Sequence, residues 1–240
     1  ELLYGRNAVA EALRGRRQAR RLFLAEGVRE DERLRALLAR AEELGLPVER
    51  PPRPLLDDLA RGSNHQGVGL EASGYRYAEF DEVVAAPGTV LVLDHVQDPQ
   101  NVGTLLRTAE AAGVAGVVLP QDRAAAVTPA VVNASAGAVE LLAVAIVPNL
   151  SRSLDTLKKA GRWVVGLEAG EGAVDLYKAD VPTPVTLVVG AEGGGLGQNV
   201  RGRCDLLVSL PMRGQIASLN AATAGAIALF ELVRREVASA

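Results

Sequence analysis

Val185-Thr186-Leu187-Val188-Val189-Gly190-Ala191-Glu192-Gly193-Gly194-Gly195-Leu196 joins a β-prone apolar run to a glycine-rich turn that carries a single carboxylate. Val90-Leu91-Val92-Leu93 does the same: it runs into Asp94-His95-Val96-Gln97-Asp98-Pro99-Gln100-Asn101-Val102-Gly103, with Arg107 after it. A third polar turn, Leu210-Pro211-Met212-Arg213-Gly214-Gln215-Ile216-Ala217-Ser218-Leu219-Asn220, closes the apolar run 206–210. In an open parallel sheet the carboxyl ends of the strands form the crevice where ligands bind. The three turns are therefore expected to converge there. Asn101, Arg107, Glu192, Ser218 and Asn220 become the candidate site residues.

Outward from these turns, strand and helix patterns alternate. Strand 90–93 leads to a helix over about 101–112 stopped by Gly113, then to a strand over 114–119. Thr128-Pro129 marks a helix start with proline at its first position. Asn133-Ala134-Ser135-Ala136-Gly137-Ala138 is a run of small residues suited to close packing. Asn149 or Ser151 caps a helix to about Ala160, and Trp163–Leu167, 185–189 and 206–210 read as strands. A helix over 218–235 ends the pattern. Alternation of this kind predicts an α/β fold with a parallel sheet and helices on both faces.

The front of the chain reads as a smaller α/β domain over 1–73. Asn7 caps a helix over about 8–14, and Arg21–Leu24 is a strand. Leu34, Leu37, Leu38, Ala41 and Leu44 recur at helical spacing from Glu32 to Leu44. Leu55–Ala60 forms another helical segment, and the polar loop 62–67 leads into a strand at Val68–Ala72. Residues 74–88, with two tyrosines, Pro87 and few apolar positions, read as a linker. The second domain is then 89–240.

Composition narrows the classes of function. The 240 residues are 48% apolar and 23% charged, with only 3% aromatic, so the core must be built from Ala, Val and Leu. No apolar run approaches the ~20 residues that span a bilayer, and no signal peptide is visible. A cytoplasmic protein without membrane contact is the simplest reading. The single Cys204 excludes an intrachain disulfide and a cysteine-based zinc site, and two histidines exclude a histidine-rich one, so no metal is expected. Cys204, next to Asp205-Leu206-Leu207-Val208, reads as a packing residue. Net charge is −3 and the pI near 5.6, against the basic balance typical of nucleic-acid binders. The charge is unevenly spread: residues 1–73 hold 13 arginines and 12 carboxylates, and residues 74–240 hold 13 basic and 17 acidic groups. Arg14, Arg16, Arg17, Arg20 and Arg21 fall within eight positions, either as a solvated surface or as a phosphate-contacting patch.

Familiar nucleotide signatures fail. There is no Gly-x-x-x-x-Gly-Lys-Ser/Thr, and Gly193-Gly194-Gly195-Leu196-Gly197-Gln198 puts glutamine where a dinucleotide fingerprint needs its third glycine. The three turns in order, Asp98-Pro99-Gln100-Asn101-Val102-Gly103 through Arg107-Thr108-Ala109, Leu187–Leu196, and Leu210–Gly214 with Ser218-Leu219-Asn220, resemble the SpoU (TrmH) family of RNA ribose 2′-O-methyltransferases. Tyr4-Gly5-Arg6-Asn7-Ala8-Val9 and His65-Gln66-Gly67-Val68 are similar to the ends of the substrate-binding domain in the RlmB-type branch, which methylates a guanosine in large-subunit ribosomal RNA. The resemblance implies an L30e-like front domain and a SPOUT-type parallel sheet with a deep trefoil knot. It also implies a homodimer, S-adenosyl-L-methionine as cofactor and RNA as partner. Gly190, Leu210, Met212 and Leu219 would hold the cofactor. Arg107, supported by Asn101, would act at the ribose hydroxyl, Glu192 would orient Arg107 or a substrate group, and Ser218 and Asn220 would position the ribose. The arginine cluster and the His65-Gln66 loop would select the RNA. Taken singly, Asn101 reads equally as a helix cap and Glu192 as a neutraliser of a neighbour. A tRNA ribose methyltransferase of the same family and a noncatalytic ribosome-assembly factor are the alternatives.

Overall fold

A computed structural model describes residues 1–170 and 172–239 and divides the chain into two compact units. One joins Glu1–Arg76 to Val127–Leu141; the other joins Tyr77–Ala126 to Leu142–Ala240.

The first unit begins with β1 (Leu2–Tyr4), α1 (Arg6–Ala12), β2 (Ala19–Leu24), α2 (Glu32–Glu43), β3 (Val48–Glu49), α3 (Arg53–Leu59) and β4 (Val68–Ala72). Its sheet order is β1-β4-β2-β3. β4 is antiparallel to both its neighbours, and β2 runs parallel to β3. Helix α1 starts two residues earlier than expected, because Gly5 rather than Asn7 is its N-cap; Gly5 holds a φ of 90° that only glycine adopts without strain. Asp31 caps α2 by accepting from the Leu34 N–H, which starts the helix where its apolar periodicity begins.

The chain then enters the second unit with α4 (Phe80–Ala85), β5 (Val90–Asp94), α5 (Pro99–Ala111) and β6 (Gly116–Pro120). The stretch 74–88 is therefore not a plain linker. Helix α4 packs on the sheet through fully buried Val83, and Arg162 donates to the Ala86 and Gly88 carbonyls behind it. A six-residue helix with one buried apolar position leaves too short a period to read.

Residues 127–141 depart from the sequence-based division, which placed them within 89–240. They form α6 (Pro129–Ala134) and a 3₁₀ turn at Ala138–Leu141, and both pack within the first unit. Their small residues are the reason. A Cβ on Gly137 would lie 2.8 Å from the Glu11 Cβ and 3.0 Å from the Ala8 Cα, so the excursion closes directly on α1. The Asn133 amide donates to the Tyr4 carbonyl at 3.0 Å.

After this excursion the second unit continues with β7 (Val144–Val147), α7 (Leu150–Lys159), β8 (Trp163–Leu167), β9 (Val174–Asp175), β10 (Val185–Gly190), α8 (Gln198–Arg201), β11 (Leu206–Ser209) and α9 (Ala221–Ser239). Its seven strands lie in the order β7-β6-β5-β10-β8-β11-β9, and every recorded pairing is parallel. Central strands β5, β6 and β10 are buried along their whole length, as strands covered on both faces must be. The core is built from Val, Leu and Ala, as the scarcity of aromatics requires. Cys204 packs against it, and burial pushes its thiol pKa up to about 12, which suits packing rather than nucleophilic work. Gly225 lets α9 close on its neighbours: a Cβ there would lie 2.5 Å from the Leu105 side chain of α5 and 3.3 Å from Val189 of β10.

Candidate active site

Register decides where the site lies. In the β5–β10 pair Gly190 stands beside Asp94, so the two polar turns leave the sheet at one level. Asp94 is 1% exposed; it accepts from the Gly197 N–H at 2.7 Å and from the His95 ring, tying the first turn to the end of the second. The second turn folds back on itself, with the Gly195 N–H donating to the Ala191 carbonyl at 3.0 Å. This return passes so close to β10 that a Cβ on Gly190 would lie 2.2 Å from the Gly195 carbonyl oxygen. Gly190 is thus required by the turn's own backbone.

Three residues from three turns meet above this corner. The Asn101 amide donates to Glu192 Oε2 at 3.1 Å, and the Asn220 amide donates to the Asn101 side-chain oxygen at 2.8 Å and to Glu192 Oε2 at 3.5 Å. Asn101 is not the helix cap: Asp98 caps α5, accepting from the Gln100 and Asn101 N–H groups. That frees the Asn101 side chain to face the carboxylate. Asn220 does both jobs, since its side-chain oxygen accepts from the Ala222 and Thr223 N–H groups at the start of α9. Glu192 Oε1 has no hydrogen-bond partner among the described residues.

A cavity of about 660 Å³ opens beside this trio. Gly190, Leu210, Met212, Ser218 and Leu219 all line it, with Glu192 and Asn220. Leu167 and Glu168 at the end of β8 also line it; the sequence reading missed them, although a carboxylate just past an apolar strand was the available signal. The volume is that of a small-molecule site. Among the described residues its lining holds no Lys, Arg or His but two carboxylates: Glu168, which pairs with Arg201 at 3.1 Å, and Glu192, which has no cation partner. Such a wall favours a cationic ligand over a polyphosphate.

Arg107 is not part of this arrangement. It lies exposed on α5 and has neither ion pair nor hydrogen bond among the described residues; Glu192 is held by two amides instead. In the first unit, the arginine cluster is likewise divided. Arg17 is 7% exposed, bridges Glu140 at 2.8 Å and Glu1 at 2.6 Å, and stacks over the Tyr75 ring. Burial raises the Glu140 pKa, with Arg17 pulling the other way. Arg14 pairs with Glu11, and Arg21 with Glu49 and Glu71. Only Arg16 and Arg20 of the five are exposed and unpaired among the described residues. His65 is buried: its Nδ1 accepts from the Gly67 N–H at 3.0 Å, so Nε2–H donates to Asp57 at 2.7 Å. The ring holds its loop in shape, and Gln66 beside it is the exposed member of the pair.

Residues 88–230 match the SpoU rRNA Methylase family, and residues 2–78 match the RNA 2′-O ribose methyltransferase substrate-binding family. The chain belongs to the SpoU rRNA methylase family. Among relatives of this SpoU protein, a Pseudomonas putida 23S rRNA (guanosine-2′-O-)-methyltransferase, RlmB, is 40% identical over 98% of this chain and 96% of its own length. An uncharacterized tRNA/rRNA methyltransferase of Synechocystis sp. is 39% identical over 98% of this chain, which spans 62% of that longer relative. The solved SpoU methyltransferase AviRb from Streptomyces viridochromogenes, in complex with the cofactor AdoMet, is 26% identical, with a TM-score of 0.82 covering 98% of this chain and 90% of its own. Among the described residues no helix is long and apolar enough to cross a membrane.

Proposed function

We propose that this SpoU protein transfers a methyl group from S-adenosylmethionine to a ribose 2′-hydroxyl of RNA, with a guanosine of large-subunit ribosomal RNA as its target. The observation that carries this reading is the cavity at the ends of β8 and β10: nucleoside-sized, partly apolar, and walled by Glu192, which has no cation partner among the described residues, and by Glu168, which pairs with Arg201. A sulfonium and an ammonium suit such a wall; a nucleoside triphosphate does not. S-adenosylmethionine, when bound, would supply an electrophilic methyl carbon, its bond to sulfur breaking so that the sulfur leaves as a neutral thioether. Gly190, Leu210, Met212 and Leu219 hold the cofactor, and Ser218 supplies a hydroxyl at the rim. Asn101 and Asn220 fix Glu192 so that its free Oε1 accepts the hydrogen bond of the ribose 2′-hydroxyl and draws its proton as the bond to carbon forms. Preorganisation by two amides means the carboxylate need not reorient at the moment of transfer.

Arg107 belongs to the mechanism through a homodimer. An exposed, unpaired arginine on α5 is free to reach the trio of a second copy, where it would hold a phosphate or stabilise oxyanion character. Support for a second copy comes from the third turn. Residues 211–220 are exposed throughout and present Met212, Ile216 and Leu219 at 39%, 72% and 40%. The trefoil knot belongs to the same reading: after β11 the chain crosses 210–220, beside the glycine turn, before α9 packs on α5. Residues 1–73 act as an L30e-like RNA-holding domain. Arg6, Arg14, Arg33 and Arg40 line a groove of about 810 Å³ there, and Arg16 and Arg20 are free. The cytoplasm, where ribosomes are made, is the matching compartment. RlmB is the name of the Pseudomonas relative, and its guanosine chemistry is the basis for the nucleotide proposed.

The test is incubation of the full chain with labelled S-adenosylmethionine and large-subunit ribosomal RNA, followed by digestion to nucleosides. The label is expected in 2′-O-methylguanosine. Label on a base, or transfer only to tRNA, contradicts the assignment.

A further inference from the structure

A second, smaller cavity of about 300 Å³ adjoins the first, within the same unit. Ala191 and Glu192 line both cavities, Asn101 only the smaller and Asn220 only the larger. The hydrogen-bonded trio therefore stands as the partition between two compartments. His95, Gln97, Asp98 and Arg123 complete the smaller one. Resting on the proposed methyl transfer, we infer that this compartment seats the acceptor ribose, and that Arg123 binds the phosphate next to it.

Three observations support this. The first is charge. Glu192 offers its unpartnered Oε1, which matches a ribose hydroxyl donor, and Asp98, whose oxygens cap α5, adds negative charge, while Arg123 is exposed and without an ion pair among the described residues. A hydroxyl-bearing unit with one phosphate at its edge fits that distribution, and arginine is suited to phosphate oxygens. The second is backbone conformation. Arg123 and His95 line the cavity with φ values of 53° and 57°, a region non-glycine residues seldom occupy, and such conformations cluster where structure serves a ligand. The 121–126 loop is held in place by the Ala125 N–H, which donates to the Val96 carbonyl at 3.2 Å. The third is size. The cavity stands at the small end of the range for small-molecule sites, so it takes one nucleoside rather than an oligonucleotide. The His95 ring gives Nδ1 to buried Asp94, leaving Nε2 free for the acceptor.

The experiment compares wild type, Arg123→Ala and Arg123→Lys as full chains in three assays. These are methylation of large-subunit ribosomal RNA, RNA binding across a salt series, and calorimetric titration with S-adenosylmethionine. Arg123→Ala is expected to lower kcat/KM for RNA by about tenfold and to make the slope of log affinity against log salt shallower by about 0.7, the value of one single-strand phosphate contact. Cofactor affinity should stay within twofold. Arg123→Lys should retain most of the activity and the full slope, because a phosphate accepts a point charge where a base edge requires the planar fork. Unchanged kcat/KM and slope in Arg123→Ala would overturn the inference. So would an Arg123→Lys as impaired as the alanine variant, or a parallel loss of cofactor affinity. Wild-type chain that transfers no methyl group to RNA defeats the functional reading itself, while the salt slopes still report whether Arg123 meets a phosphate.

Discussion

The Asn220 amide donates to the Asn101 side-chain oxygen at 2.8 Å across 119 residues of sequence, and both amides point at one oxygen of Glu192. One contact thus joins the start of α5 to the start of α9, with the glycine turn between them. Its consequence is that a carboxylate in a 48% apolar chain is aimed before any ligand arrives. Replacing Asn101 by alanine removes one donor and lets Glu192 swing. Methyl transfer should fall about 10²-fold or more, with S-adenosylmethionine affinity within threefold of wild type. Single-turnover transfer and calorimetry on the same preparation check this.

Gly190 gives a sharper structural prediction. Because a Cβ would meet the Gly195 carbonyl oxygen at 2.2 Å, even Gly190→Ala should displace the turn, and Gly190→Val should abolish cofactor binding. Gly194→Ala is the control: nothing lies within 4 Å of a Cβ there. Cofactor titration should separate the two. Equal affinities would show that the turn does not shape the cavity.

The arginine cluster predicts opposite phenotypes for neighbouring residues. Arg17→Ala leaves Glu140 buried without its main cation and should destabilise the first unit by about 3–5 kcal/mol. Arg16→Glu with Arg20→Glu should leave the melting temperature unchanged, weaken RNA binding and flatten its salt dependence. Thermal melts and filter binding in a salt series distinguish the two classes.

Acid sensitivity is expected at Glu231. Its hydrogen bonds to Arg234 and Arg235 hold its pKa down to about 2 from the ordinary 4.5. A depressed carboxyl contributes stability that is complete above its unfolded value and lost as pH falls from about 4.5 towards 2. Glu231→Gln should therefore be less stable than wild type at pH 7, by about 1 kcal/mol. The gap should close by pH 2. Denaturant melts at several pH values would show this convergence.

The parallel sheet was legible because β5, β8 and β10 are uninterrupted apolar runs closed by glycine or polar turns, and each turned out within a residue of its expected limits. The polar residues at the strand ends were legible for the same reason: carboxylates and amides have no packing purpose in a glycine turn. What escaped was everything set by contacts distant in sequence. Residues 127–141 join the first unit through Gly137 and Asn133, whose fit to α1 and β1 has no local signature. Arg17 and His65 carry polar side chains that sequence reading places in solvent, yet Glu140 and Asp57 make burial tolerable. Arg107 sits on a matched motif but away from the trio, because six residues along a helix carry a side chain onto another face.

Glu192→Gln tests the central claim most directly, since it keeps the shape and an acceptor oxygen for both asparagines while removing the charge. Single-turnover methyl transfer to large-subunit ribosomal RNA should slow by about 10²-fold or more, and the S-adenosylmethionine dissociation constant should stay within threefold of wild type. A Glu192→Gln enzyme that transfers methyl groups at the wild-type rate would contradict the account.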